Sequence, residues 1–212
     1  MPRFGSVVFD CDSTLSAVEG IDELAAGARA QIEALTDAAM RGEVPLQDVY
    51  GRRLEIARPS RERVAALGRR YVEALVPGAR DAVRALCAGG VQVRVVSGGL
   101  LPAVLVLTRE LGLSDDDVAA VDIHFGDEGA YAGYEADSPL TRSDGKATVL
   151  RTWLPGLPGP VLMVGDGITD LEARPPADMF AAFTGVVARE RVVAAADFVA
   201  ATMDDIRRLV LG

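Results

Sequence analysis

Apolar positions along the chain follow two periods, and the change from one to the other divides it. Ser6-Val7-Val8-Phe9 is a run of β-branched and aromatic side chains with no turn former, which predicts a short buried strand. From Thr14 to Val91 no such run recurs. Instead Ile21, Leu24, Ala25, Ala28, Ile32 and Leu35 repeat at helical spacing, predicting a helix with one apolar face. Thr36-Asp37 reads as a further helix start leading to Met40, and Gly42-Glu43-Val44-Pro45 as a loop. A helix carrying Val49, Arg53, Leu54 and Ala57 follows, broken and recapped at Pro59-Ser60, and Val64, Leu67, Tyr71 and Leu75 form one more stripe before Val76-Pro77-Gly78. Residues 15–76 are therefore expected to be a helical insertion.

Beyond it, helix and strand alternate. Residues 79–88 and 101–111 predict helices stopped by Gly89-Gly90 and Gly112; residues 91–96, 161–164 and 179–183 predict strands; residues 146–153 predict a helix. Val121 to Phe125 and Tyr131 to Tyr134, separated by Gly126-Asp127-Glu128-Gly129, predict a small antiparallel ribbon, and two short helices near 188–196 and 204–210 close the chain. Alternation of this kind implies βαβ units and a mostly parallel sheet. The expected fold class is α/β, with a Rossmann-like core of residues 1–14 and 77–212 interrupted by a helical cap at 15–76.

Candidate chemistry collects where the apolar runs end. The first strand delivers Asp10 and Asp12, which a continued strand would turn to one side, at the crevice where open α/β sheets place their sites. Two aspartates this close repel unless a cation, a nearby Lys or Arg, or a shared proton offsets the repulsion. Later runs end in Ser97-Gly98-Gly99 and in Gly165-Asp166-Gly167-Ile168-Thr169-Asp170, and Lys146 opens the helix between them. A hydroxyl with Gly-flanked amides at a helix start suits phosphate oxygens, a further aspartate pair suits a hard divalent cation, and an ammonium suits leftover negative charge. That inventory points to phosphoryl transfer.

In this order, Asp10-x-Asp12-Ser13-Thr14, Ser97-Gly98-Gly99, Lys146 and Gly165-Asp166-Gly167-x-Thr169-Asp170 resemble the four motifs of the haloacid dehalogenase (HAD) superfamily of phosphatases. Within that superfamily the chain resembles the phosphoserine phosphatases, from roughly Phe4 to the last helix, including Glu19-Gly20-Ile21-Asp22 and Pro175-Pro176-Ala177-Asp178. The resemblance implies a HAD-type core with a helical cap. Asp10 is then the nucleophile that forms an aspartyl-phosphate, and Asp12 the acid that protonates the leaving oxygen and later the base for water. Mg²⁺ is expected on Asp10, the backbone carbonyl of Asp12 and Asp166. Ser97, Gly98, Gly99 and Lys146 are expected to bind the phosphoryl group, with Asp170 orienting Lys146.

The implied substrate is O-phospho-L-serine, whose hydrolysis ends serine biosynthesis. Its ammonium and carboxylate call for an acid and a planar donor fork, roles that fall to Glu19 and Arg53, with Met40, Leu46 and Thr169 also in contact. Arg52 adjoins Arg53, so helix phase decides which points inward. The same core also suits another small phosphomonoester, or transfer to an alcohol such as homoserine.

Composition narrows the partners. With 31 acidic and 22 basic residues the formal charge is −9, and no basic stripe exists to displace counterions from nucleic acid. An anionic substrate must then be drawn by local charge. Cys11 and Cys87 do not form a disulfide framework, no apolar stretch is long enough for a membrane span, and the first strand follows Met1-Pro2-Arg3-Phe4-Gly5 directly, so a cytoplasmic protein is expected. Monomer and homodimer both stay open. Asp115-Asp116-Asp117 after Ser114 reads as a capped helix start, His124 as structural, and Trp153 and the methionines as core.

Overall fold

A computed structural model describes residues 2–41 and 43–212; Gly42 of the expected loop lies outside the described residues. The chain opens with β1 (Ser6–Phe9) and continues through α1 (Gly20–Glu23), α2 (Arg29–Met40), α3 (Leu46–Ala57) and α4 (Arg61–Glu73). Then come α5 (Ala79–Ala88), β2 (Gln92–Leu100), α6 (Leu101–Glu110), β3 (Val118–Val121), β4 (Ile123–Phe125), β5 (Tyr131–Tyr134) and α7 (Gly145–Trp153). The last elements are β6 (Val161–Gly165), α8 (Ile168–Leu171), β7 (Met179–Phe183), α9 (Glu190–Ala195), β8 (Phe198–Ala200) and α10 (Met203–Leu211).

Six strands form one parallel sheet in the order β3-β2-β1-β6-β7-β8, and β4 pairs antiparallel with β5 as the expected ribbon. All four side chains of β1 are buried, as are all five positions of β6, which is why these strands read as unbroken apolar runs. The connection after β1 leads to β2 on one side while β6 lies on the other. The carboxyl ends of β1 and β6 therefore flank the point where strand order reverses, the place at which such sheets open a crevice.

Local signals account for most element ends. Ser60 caps α4 by accepting from the Arg63 amide, Thr202 and Asp205 form a reciprocal cap on α10, and Gly90 and Gly112 adopt positive φ just beyond α5 and α6. From the segment between β1 and β2, α4 reaches across to pack along α6, where Gly68 lets the helices close: a Cβ there would lie 2.7 Å from Val106 Cγ2. Among the described residues no helix is long and apolar enough to cross a membrane.

Several expectations are corrected. The stripe from Ile21 to Leu35 is not one helix; it breaks into α1, a 3₁₀ turn at Ala26–Ala28 and α2, at the point where Gly27 weakens helical continuity. Thr36-Asp37 starts nothing: Thr36 is buried inside α2, its hydroxyl directed to Asp22 rather than to a free helix amide. Leu75 falls beyond α4, bridging Ser16. The second strand does not stop at Val96 but runs on through Ser97-Gly98-Gly99 to Leu100, with a bulge between Val96 and Leu100 that the glycines permit, and the helix after it starts at Leu101 as expected. The run from Val121 to Phe125 is two strands, because the Asp122 carboxylate takes the Ile123 amide and turns the chain. Strand β8 was not expected at all; three residues are too few to show a period. Trp153 is half-buried beneath the Arg94 guanidinium, 4.9 Å from the ring centroid, and Met40 and Met179 are likewise only partly buried, whereas Met163 and Met203 are core. The three aspartates at 115–117 form one 3₁₀ turn capped by Ser114.

The largest buried side chains include Phe9, Phe180 and Phe183 on the sheet. Phe180→Ala is expected to lower the unfolding free energy by about 3–5 kcal/mol, read from urea denaturation, since β7 is held on both edges and can collapse little around the void.

Candidate active site

Immediately after β1 the backbone leaves the strand, and Ser13 takes φ 52°, a left-handed turn that folds the motif back on itself. Asp10 stays at the strand end. Its Oδ1 accepts from the Cys11 amide at 2.7 Å and pairs with Lys146 Nζ at 2.8 Å. Lys146, on the first turn of α7, also reaches Asp170 Oδ1 at 2.6 Å, and Asp170 Oδ2 accepts from the Gly167 amide at 3.0 Å. No Cβ could fit at Gly165, where one would meet Asp170 Cγ at 2.1 Å, which explains the glycine at the end of β6.

Asp12 turns its carboxylate another way. Oδ1 accepts from the Tyr71 hydroxyl at 2.6 Å and the Gly20 amide at 2.6 Å; Oδ2 takes Ser97 Oγ at 3.3 Å. Ser97 is fully buried, its Oγ also accepting from the Gly99 amide at 2.9 Å, while Gly98 and Gly99 line the cavity. Asp166 pairs with Arg189 and accepts from Thr14 Oγ1 at 3.4 Å.

One cavity joins these groups to the helices between β1 and β2. It is lined by Asp10, Asp12, Lys146, Asp166 and Thr169 together with Glu19, Met40, Leu46, Gly98, Gly99 and Arg53. Helix phase is settled: Arg53 is 5% exposed and Arg52 faces solvent. Arg53 Nη1 donates to Thr36 Oγ1 at 2.9 Å, Thr36 donates to Asp22 at 2.6 Å, and the Arg53 Nε is buried with no partner among the described residues. Glu19 accepts from Ser13 Oγ at 2.7 Å.

Burial dominates the electrostatics. It pushes the Asp10 carboxyl well above the usual carboxylate range, with Asp170 adding to the rise and Lys146 opposing it. Asp12 is also raised by burial, held back by the Tyr71 and Gly20 hydrogen bonds. Burial lifts Asp166 to about 7 against the pull of Arg189, and Glu19 to about 8 with Asp12 and Asp166 contributing. For Lys146 burial acts downward, but the Asp10 and Asp170 carboxylates outweigh it and hold the ammonium charged.

Oxygen atoms of Asp10, Asp166 and Asp170 all lie within 4.8 Å of one another. Hard carboxylate oxygens outnumber the cationic groups beside them, Lys146 and Arg189, which fits a small divalent cation. The Asp12 carboxylate stays outside this cluster, and Asp170 already serves Lys146 and Gly167.

Two residues beside these carboxylates escaped the sequence reading. Arg189, just before α9, pairs with Asp166 and lies 3.9 Å from Glu19; an isolated arginine after a strand carries no motif that would single it out. Tyr71 was legible only as one member of an apolar helical stripe. His124 is exposed on β4 and is not among the residues lining the cavity, and both cysteines are free.

Parallel sheet, strand-end aspartates and the Lys146 bridge define a class: the chain belongs to the haloacid dehalogenase-like hydrolases, whose family profile matches residues 5–178. Phosphoserine phosphatase of Mus musculus is 38% identical over 190 residues, covering 88% of this chain and 84% of that protein, which places the chain among the phosphoserine phosphatases. A substrate-bound phosphoserine phosphatase complex superposes with a TM-score of 0.83 at 26% identity, covering 98% of this chain and 97% of that one. The structure of a phospho-aspartyl intermediate analogue of phosphoserine phosphatase gives 0.72 at 26% identity, covering 96% and 97%.

The support beneath Arg53 has a pH signature. Burial raises the Asp22 carboxyl to about 6, while the Thr36 hydrogen bond and the Arg53 charge act to lower it. A carboxyl held above its unfolded value of 3.8 binds its proton more tightly when folded, so its contribution to stability is full below pH 3.8 and is lost as pH rises through about 6. Asp22→Asn lacks this loss. Its unfolding free energy relative to wild type is expected to rise by on the order of 1–3 kcal/mol between pH 4 and 7, then level off, in denaturant titrations across that range.

Proposed function

We propose that this chain hydrolyses O-phospho-L-serine to L-serine and inorganic phosphate, with residues 15–76 acting as the cap over a core of residues 1–14 and 77–212. The observation that carries the reading is that one cavity holds both kinds of recognition: the Asp10–Lys146–Asp166 cluster on the sheet edge, and Glu19 with Arg53 from the helices. A buried guanidinium nitrogen without a partner asks for an acceptor, and a substrate carboxylate supplies one. Glu19 provides the complementary charge for an ammonium. Met40 and Leu46 add the apolar walls that a three-carbon substrate requires, and Thr169 a hydroxyl.

The chain's own residues divide the chemistry. Lys146 and the Cys11 amide hold Asp10 Oδ1, leaving Oδ2 as the oxygen available to attack phosphorus. Asp12 gives its proton to the departing seryl oxygen and then takes one from the water that cleaves the aspartyl-phosphate. Gly98 and Gly99 line the space for the phosphoryl oxygens, and Lys146 neutralises charge on both nucleophile and phosphate. Asp10, the Asp12 backbone carbonyl and Asp166 would hold Mg²⁺, which supplies charge neutralisation at the phosphoryl group when bound.

The experiment is phosphate release from phosphoserine, phosphothreonine and an aryl phosphate, with and without Mg²⁺. Metal-dependent preference for phosphoserine is expected; equal rates on all three would discard the substrate assignment while keeping the phosphatase chemistry. Asp10→Asn should lower turnover by at least about 10³-fold with the thermal unfolding transition intact, as the covalent route is lost. Arg53→Ala should lower kcat/KM for phosphoserine by roughly 10²-fold and leave the aryl ester within about threefold, the difference measuring carboxylate recognition.

A further inference from the structure

Resting on the phosphatase reading above, we infer that Tyr71 is a positioning residue for the proton donor: its hydroxyl locks Asp12 Oδ1 so that Oδ2 presents the proton to the seryl oxygen. Two observations carry this. Oδ1 is saturated by two short bonds, from Tyr71 and from the Gly20 amide, both 2.6 Å, whereas among the described residues Oδ2 has only the long 3.3 Å contact to Ser97. Cavity-lining glycines flank both oxygens, since a Cβ at Gly99 would lie 2.9 Å from Oδ2 and one at Gly20 3.2 Å from Oδ1, so it is the unequal hydrogen bonding of the two oxygens that leaves Oδ2 for the substrate. The hydroxyl itself sits in a slot walled by two glycines. A Cβ at Gly20 would lie 2.0 Å from the phenolic oxygen and one at Gly99 3.1 Å, so neither position tolerates a larger residue while Tyr71 is in place.

The tyrosine is also anchored for the task. It lies on α4, which packs along α6 through Gly68 and Val106. Its backbone carbonyl accepts from Ser16 Oγ at 3.1 Å, the Ala17 amide donates to Ala74 O at 2.8 Å, and the Val76 amide to Leu15 O at 3.0 Å. These bonds stitch the end of α4 to the segment that follows Asp12.

In the step concerned, Asp10 Oδ2 forms its bond to phosphorus as the phosphorus–seryl oxygen bond breaks. The electron pair goes to the seryl oxygen, which takes the proton from Asp12 Oδ2. An alkoxide needs that proton; a nitrophenolate leaves without it. Misaligning Asp12 therefore penalises one leaving group and spares the other, and kcat/KM isolates this first chemical step from hydrolysis of the intermediate.

The test compares wild type with Tyr71→Phe, which keeps the ring and its packing, on phosphoserine and on p-nitrophenyl phosphate. We expect kcat/KM to fall about tenfold or more for phosphoserine and to stay within about twofold for the aryl ester, with KM for phosphoserine little changed. The unchanged aryl ester rate doubles as proof that the variant is folded. Equal losses on the two esters would make Tyr71 merely structural, and no loss on phosphoserine would show that Asp12 needs no such support; either overturns the inference. Absence of wild-type turnover on both esters would instead overturn the phosphatase reading beneath it.

Discussion

The structure depends on holding four aspartates together in a buried crevice. Asp10, Asp12, Asp166 and Asp170 are gathered near the carboxyl ends of β1 and β6, where burial raises the carboxyls of Asp10, Asp12 and Asp166 above their usual range. Removing charge from water costs several kcal/mol per ion, so such a cluster persists only with matched partners. Lys146 answers Asp10 and Asp170 together, Arg189 answers Asp166, and Tyr71 with Gly20 answers Asp12. The oxygen donors left over fit a small divalent cation.

This requirement explains local choices that otherwise look unrelated. Glycine closes β6 because Asp170 needs the space in order to reach Lys146, and glycine stands at positions 20 and 99 because Tyr71 and Asp12 fill the space a side chain would take. The left-handed turn at Ser13 brings its hydroxyl to Glu19, so the motif that carries the proposed nucleophile also orients the acid proposed for the substrate ammonium.

The helices between β1 and β2 extend the same logic outward. Arg53 is fixed through Thr36 to Asp22, which is a chain of hydrogen bonds spanning three helices, with Tyr50 beneath the guanidinium at 5.4 Å. The proposed recognition and the proposed chemistry are thus built on separate elements, α1–α3 on one side and strand ends on the other. They meet because α4 is stitched to the segment after β1.

The amino-acid sequence by itself determined the fold class and the chemical inventory. β1, β6 and β7 are buried on both faces and read as unbroken apolar runs, and Asp10, Asp12, Lys146, Asp166 and Asp170 sit at fixed offsets from strand ends or helix starts, so local pattern suffices. It also singled out Glu19 and Arg53, though Arg52 and Arg53 are adjacent and only packing chose between them. Other features were invisible because they arise from contacts between residues far apart in the chain. Strand β8 exists because β7 offers it an edge, Thr36 looked like a cap but bonds Asp22 on another helix, and Arg189 and Tyr71 acquire meaning only where folding sets them against Asp166 and Asp12. Periodicity reports which face of an element is buried; it does not report what a polar atom on that face will meet.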